Sequence, residues 1–134
     1  MKNIVVDCNV FISAFIGSDI CFKVLDKAFS DFRVCYSEAT LDELLETLKR
    51  PKFHNILKSE RINITLQALH SLGFFFTPEA CQIKLPDPED QIYLDLAVTS
   101  KAEYIISGNK KHFPEKFCKN IKILSPNEFL KVLK

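Results

Sequence analysis

The sequence predicts an α/β protein, a three-layer sandwich around a mostly parallel central sheet of about five strands. Short β-branched or aromatic runs alternate with longer segments whose apolar residues recur at helical spacing, which is typical of parallel α/β sheets. Only 3 of the 134 residues are glycine, which argues against a turn-rich all-β fold. A hydrophobic content of 47% is enough for one core, so we expect a single domain over residues 1–134.

The predicted elements follow from apolar patterns and from residues that begin or end helices. Strands are expected over residues 4–6, 33–36, 74–76, 104–107 and 121–124. Helices are expected over residues 9–17, 20–31, 38–50, 52–58, 61–72 and 88–101, and from Pro126 onward. Ser37 is a good N-cap for the third helix, Pro51 ends that helix, and Gly73 ends the fifth.

The net charge of +1 gives no global sign of nucleic-acid binding, but the charges are segregated along the chain. Residues 49–61 and 110–122 are basic, and they flank an acidic stretch over residues 87–103. Each basic segment taken alone fits ordinary solvated surface equally well. An acidic centre with basic arms is also what a metal site acting on a polyanion needs.

The cysteines and the first apolar run indicate a cytoplasmic protein without a membrane segment. The five cysteines form no C-x-x-C pair, so we expect reduced thiols that serve as small apolar residues. No histidine pairs with a cysteine at ligand spacing, which argues against a zinc site. Asp7 interrupts the apolar run over residues 4–16, which is therefore read as neither a signal peptide nor a transmembrane helix.

Polar residues directly follow three of the predicted strands. Asp7 follows the first strand, Ser37 follows the second, and Ser107-Gly108-Asn109 closes the fourth. Because parallel strands end at one edge of the sheet, where α/β proteins build their sites, these side chains are expected to lie together. Asp7 also fits the N-cap of the following helix, an alternative that the sequence leaves open.

Further carboxylates lie on two predicted helices. Asp90 shares a helix face with Leu94 and Ala97, so it points toward the core or a cleft, unless it only stabilises the helix dipole. Asp87 is more simply an N-cap, and Asp95 lies on the face expected to be solvated. The third helix offers four acids, and periodicity does not choose among Glu38, Asp42, Glu43 and Glu46.

Several carboxylates at one sheet edge repel each other unless a divalent cation neutralises them. Oxygen ligands without histidine or cysteine suit Mg²⁺ or Mn²⁺, and such a metal activates water and steadies charge on a phosphate. The absence of a glycine-rich phosphate loop argues against an NTPase.

Three stretches of the chain together resemble the PIN-domain family, most of all its single-domain toxins of toxin–antitoxin modules. They are IVVDCNVFISA, SEATLDELLETLKRPKF and DPEDQIYLDLAVTSKAEYIISGNKKHFP, which cover almost the whole chain in order. The resemblance implies a PIN-like fold and a magnesium- or manganese-dependent endoribonuclease that hydrolyses phosphodiesters with metal-activated water.

The resemblance also implies roles for particular residues. Asp7, Glu43 and Asp90 match the catalytic, metal-binding acids, so the family selects Glu43 where periodicity could not. Asn109 stands where the family's T-G-D turn carries a fourth Asp, and as an uncharged metal ligand it leaves open whether one or two metals bind. Asn9, Ser37 and Ser107 match polar family positions with supporting roles, and the sequence adds Asp87, Lys52 and Lys110 as further candidates for supporting or substrate-binding roles.

The implied partners are an RNA substrate and a small antitoxin protein that covers the active edge. Helices over residues 11–15 and 22–29 offer a homodimer face, although the same apolar residues can simply be core. One alternative is a non-catalytic module that binds nucleic acid or protein, which Asn109 and the low net charge favour. Another makes Asp7 the nucleophile of a haloacid-dehalogenase-like phosphatase, but that family needs a second Asp where this chain has Asn9.

Overall fold

The computed structural model describes residues 1–114, 118 and 120–133. Its strands are β1 (Asn3–Val6), β2 (Arg33–Tyr36), β3 (Phe74–Phe75), β4 (Tyr104–Ile106) and β5 (Lys122–Leu124). Its helices are α1 (Cys8–Phe15), α2 (Asp19–Asp31), α3 (Glu38–Leu48), α4 (Ser59–Leu72), α5 (Pro88–Ser100) and α6 (Pro126–Val132). Two 3-10 turns, Pro51–Phe53 and Lys110–His112, complete the regular structure of these residues.

The five strands form one parallel sheet in the order β3-β2-β1-β4-β5. Strand β1 pairs with β2 on one side and β4 on the other, and Val5 lies opposite Cys35 and Ile105. These central strands carry near-continuous apolar runs because helices cover both faces of the sheet. The predicted three-layer α/β sandwich is confirmed. The sheet grows outward from β1 in both directions, so the space beyond the ends of β1 and β4 is the topological switch point.

One predicted helix is wrong, and the other boundaries agree within two residues. Residues 52–58 were expected to be helical but hold only the 3-10 turn Pro51–Phe53. The N–H of Lys58 donates to the carbonyl of Phe15 at 2.7 Å, which ties the end of this segment to the end of α1. The tether takes the Lys58 N–H away from the partner that it would have in a helix over residues 52–58, and Lys58 instead forms the N-cap of α4.

The face of α5 that was expected to be solvated is covered by the loop over residues 76–87. Asp95 accepts hydrogen bonds from the backbone N–H of Cys81 and the side-chain amide of Gln91, each at 2.9 Å. Gln91 in turn accepts the N–H of Leu85 at 2.7 Å. The expectation of a solvated Asp95 is therefore wrong, because its carboxylate accepts a hydrogen bond from the backbone of this loop.

The cysteines behave as small apolar residues. All five are buried, and none forms a disulfide within the described residues. Their burial among aliphatic and aromatic side chains agrees with the predicted packing role. Among the described residues, no helix combines the length and apolar character that a bilayer crossing requires.

Candidate metal centre and active site

A cleft of about 340 Å³ opens at the topological switch point of the sheet. Four carboxylates line it, those of Asp7, Glu43, Glu89 and Asp90. They arrive from three parts of the chain: the end of β1, the middle of α3 and the first turn of α5. The three acids selected in the sequence therefore meet in one cavity.

Asp7 is held at the base of this cleft by side chains rather than by its own helix. It occupies the N-cap position of α1, but its carboxylate makes no cap hydrogen bond there. Its Oδ2 accepts hydrogen bonds from the hydroxyl of Ser107 at 2.8 Å and the amide of Asn9 at 3.1 Å. Asp7 is only 6% exposed, and this burial raises the pKa of its carboxyl although the bond from Ser107 opposes the rise.

The predicted supporting residues around Asp7 link β1 to the turn after β4. Asn9 accepts the N–H of Gly108 at 3.0 Å, and Ser107 accepts the N–H of Asn109 at 3.0 Å. Asn9 and Ser107 therefore both orient Asp7 and fix the turn beside it. Ser37 does not line the cleft, because its hydroxyl caps α3 by accepting the N–H of Thr40.

Glu43 reaches the cleft because threonines, rather than leucines alone, form the buried face of α3. The buried residues of this helix are Thr40, Leu44 and Thr47, and Glu43 lies among them at helical spacing. Its carboxylate accepts a hydrogen bond from the hydroxyl of Tyr93. Burial raises the pKa of Glu43, and the neighbouring carboxylates of the cleft raise it further.

Asp90 lies on the first turn of α5 and faces His112. Its Oδ1 is 3.3 Å from Nδ1 of the His112 ring. Burial raises the pKa of Asp90, the charge of His112 opposes this, and the charges of Asp87 and Asp7 add to the rise. Asp87 itself does not line the cleft and caps α5 by accepting the N–H of Glu89 at 2.9 Å.

Asn109 does not line the cleft, although the family pattern implied a metal ligand there. Its side-chain nitrogen lies 2.9 Å from Nε2 of His112, so the amide supports the imidazole that faces Asp90. His112 was missed in the sequence because it has no neighbouring metal-ligand pattern. The only signal was its position three residues after Asn109, which a 3-10 turn brings onto the same side.

The cationic side of the cleft also differs from the sequence expectation. Neither Lys52 nor Lys110 lines it. Lys110 pairs with Glu128 at 2.8 Å, and Lys52 lies 5.1 Å above the ring centre of Phe53. Arg50, which was not singled out in the sequence, lines the cleft instead.

The cleft fits a hard divalent cation by its donor chemistry. Within the described residues, no three Asp, Glu, His or Cys side chains converge closely enough to enclose an ion. The carboxylates of Asp7, Glu43 and Asp90 nevertheless line one cavity, where the charges of Asp7 and Asp90 raise the pKa of Glu43 and the charge of Asp7 raises the pKa of Asp90. Carboxylate oxygens that repel one another are suited to binding Mg²⁺ or Mn²⁺, because the cation neutralises their charge.

Comparisons with known proteins agree with this architecture. One chain of the crystal structure of VapBC2 from Rickettsia felis, bound to a DNA fragment from its promoter, is similar in fold, with a TM-score of 0.59. The similarity covers 92% of this chain and 98% of that chain at 15% sequence identity, so it concerns the fold alone. No curated protein matches the chain. The PIN-domain family model matches residues 3–111, and the chain therefore belongs to the PIN-domain family.

Proposed function

We propose that this protein is a divalent-metal-dependent endoribonuclease. The observation that carries the proposal is the meeting of Asp7, Glu43 and Asp90, from three separate segments, in one cleft of a PIN domain. PIN domains are generally nucleases, which supports phosphodiester hydrolysis as the reaction class. The site draws on residues from Asp7 to His112, nearly the span that the family model matches, so we treat residues 1–134 as one PIN domain.

Asp7, Glu43 and Asp90 would hold Mg²⁺ or Mn²⁺, and a bound metal supplies activated water and neutralises charge on the phosphate. Each acid has its own orienting partner in this chain. Ser107 and Tyr93 donate hydrogen bonds to Asp7 and Glu43 respectively. His112 faces Asp90 and is itself supported by Asn109, so we assign Asn109 a positioning role rather than a place among the metal ligands.

A toxin–antitoxin role is the proposed biological setting, in the cytoplasm. The Rickettsia felis structure holds a VapBC2 assembly on promoter DNA, which supports a cognate antitoxin protein as partner of this chain. We also propose a homodimer through α2. Phe11 and Phe15 are buried in the core and cannot form the dimer face, whereas Phe22 and Phe29 line an open groove. Cross-linking at micromolar concentration that traps only a monomer would argue against the dimer.

The decisive experiment compares cleavage of a mixed RNA pool by wild type, Asp7→Asn and Asp42→Asn. Each protein is tested with Mg²⁺, with Mn²⁺ and with EDTA. Asp42→Asn is a matched acid-to-amide control, because Asp42 is an exposed residue of α3 that does not line the cleft. We expect metal-dependent cleavage by wild type and the control, and loss of most activity in Asp7→Asn. Equal cleavage by all three proteins would refute the assigned site.

A second candidate function is a non-catalytic module that binds nucleic acid or protein. The turn of Asn109 toward His112 favours it, because the cleft then lacks a fourth family ligand after β4. This candidate predicts RNA binding without metal-dependent cleavage in the same experiment.

A further inference from the structure

We propose, on the basis of the ribonuclease function above, that Arg50 and Phe53 position a single-stranded substrate in the cleft. Arg50 contacts a phosphate beside the scissile one, and the ring of Phe53 stacks on an unpaired base. Both residues line the same cleft as the three acids. Arg50 precedes, and Phe53 ends, the 3-10 turn that stands in place of the helix expected after α3.

Arg50 is placed beside acids without being neutralised by them. It is exposed and shares the cleft with four carboxylates, yet its side chain forms no ion pair and no hydrogen bond within the described residues. Arg61 shows the contrast, because its guanidinium bonds the carbonyls of Ala14 and Ser18 and pairs with Asp19. The guanidinium of this cleft-lining residue therefore has no structural partner among the described residues, and its fork of donors matches a phosphate.

Phe53 adds the second feature of a single-strand site. Its ring is half-buried against the core and lines the cleft, so one part is anchored while another faces the cavity. Lys52 lies over the same ring and adds a second positive charge next to it. Cations interleaved with an aromatic platform are the arrangement that holds unpaired bases and their backbone. Bases in a duplex are stacked on each other and cannot use such a ring.

The segment is also ordered in advance of binding. The N–H of Arg50 donates to Thr47, and the N–H of Phe53 donates to the carbonyl of Arg50 at 3.0 Å. Pro51 holds the preceding residue in an extended conformation, so the chain leaves the axis of α3 at Arg50. Lys58 then fastens the segment to α1. Binding would therefore require little further ordering of this backbone.

The test measures binding of a short fluorescent single-stranded RNA by proteins that also carry Asp7→Asn, so that no cleavage interferes. Arg50→Gln is expected to weaken binding about 10-fold or more and to lower the salt slope by about 0.7, the value for one lost phosphate contact on a single strand. Lys49→Gln is the matched control, because it removes the same charge from an exposed neighbour that does not line the cleft.

Phe53→Leu tests the stacking contact separately. We expect it to weaken binding about 5- to 100-fold. On an RNA of abasic nucleotides, we expect Phe53→Leu and the protein with Phe53 to bind with equal affinity. A misfolded variant would lose binding to both RNAs, so the abasic arm separates stacking from folding. The same sequence annealed into a duplex should show no dependence on Phe53. With Asp7 intact, Arg50→Gln and Phe53→Leu should raise KM more than they lower kcat.

The results separate this inference from the function on which it rests. If wild type cleaves RNA and both variants behave like Lys49→Gln, the inference is overturned and the ribonuclease proposal stands. If Phe53→Leu loses equal affinity for normal and abasic RNA, the stacking role is overturned. If wild type neither binds nor cleaves RNA, both proposals fail together.

Discussion

Replacing Tyr93 with phenylalanine should destabilise the protein by removing one oxygen atom from beneath the active site. Tyr93 belongs to α5, is 2% exposed, and contacts α1 and α3 through its hydroxyl. Its hydroxyl accepts the backbone N–H of Cys8 at 3.3 Å and donates to the carboxylate of Glu43. Tyr93→Phe keeps the packed ring and leaves both of these groups without their partner.

The expected loss of unfolding free energy is about 1–4 kcal/mol. A buried N–H without a partner costs about 1–3 kcal/mol, and this applies to Cys8. Glu43 is only half-buried, so water can replace the lost hydrogen bond and its share falls to about 1 kcal/mol or less. With a urea dependence of about 2 kcal/mol per molar, the unfolding midpoint should move down by roughly 1 M.

Urea unfolding followed by circular dichroism in EDTA measures this loss, because EDTA keeps metal affinity out of the comparison. Tyr104→Phe is the matched control. Tyr104 is also buried, at 8% exposure, but its hydroxyl makes no hydrogen bond within the described residues. A loss for Tyr93→Phe below about 0.5 kcal/mol, or equal to that of the control, would refute the bridging role of this hydroxyl.

Three further predictions concern burial, pH and steric fit. Asp7→Asn should raise the urea midpoint of the metal-free protein at pH 7, because burial raises the pKa of Asp7 and the amide removes that buried charge. Glu128→Gln should lower thermal stability at neutral pH, since Lys110 and the N–H of Ser125 hold the pKa of Glu128 at about 2. That deficit should persist above pH 4.5, the ordinary pKa of this group, and disappear in melts recorded as the pH falls toward 2. Gly73→Ala should cost about 1–3 kcal/mol in thermal melts, because the added Cβ would lie 2.3 Å from a backbone oxygen of α4.

Each of these predictions has a result that contradicts it. An Asp7→Asn protein less stable than wild type in EDTA would mean that the carboxylate contributes more through its hydrogen bonds than burial costs. A Glu128→Gln deficit that is unchanged at pH 2 would rule out the ionised carboxylate as its source. Gly108→Ala is the control for Gly73→Ala, because its Cβ would meet no atom closer than 3.4 Å, and equal melting shifts would dismiss the steric argument.

Local chemistry along the chain was sufficient to place the strands, most helices and two of the three acids. Asp7 follows a β-branched run, and the carboxyl ends of parallel strands meet at one edge, so its position at a site followed from sequence. Asp90 lies on an apolar face of α5, which is a property of helical spacing alone. Asp87 and Ser37 were predicted to be helix N-caps, and the structure places both in that role.

Tertiary packing decided the features that depend on residues far apart in sequence. Periodicity could not choose among the acids of α3, whereas in the structure Thr40 and Thr47 are buried, and this orientation of the helix places Glu43 in the cleft. The polar face of α5 faces a loop instead of water because Asp95 hydrogen-bonds that loop's backbone. A local sequence pattern cannot predict such partners, because the neighbouring residues do not indicate which distant backbone N–H groups will pack against the helix.

The same limit explains the residues that the sequence did not single out. Arg50 lines the cleft at the end of α3, where Pro51 and a 3-10 turn follow it in place of the expected helix. His112 gains its place because Asn109 turns toward it and Asp90 approaches from α5, 22 positions earlier in the chain. A single sequence thus determines which strand ends carry acids, because that depends on local hydrophobic pattern. Which side chains complete the site depends on long-range packing, and only the folded structure decides it.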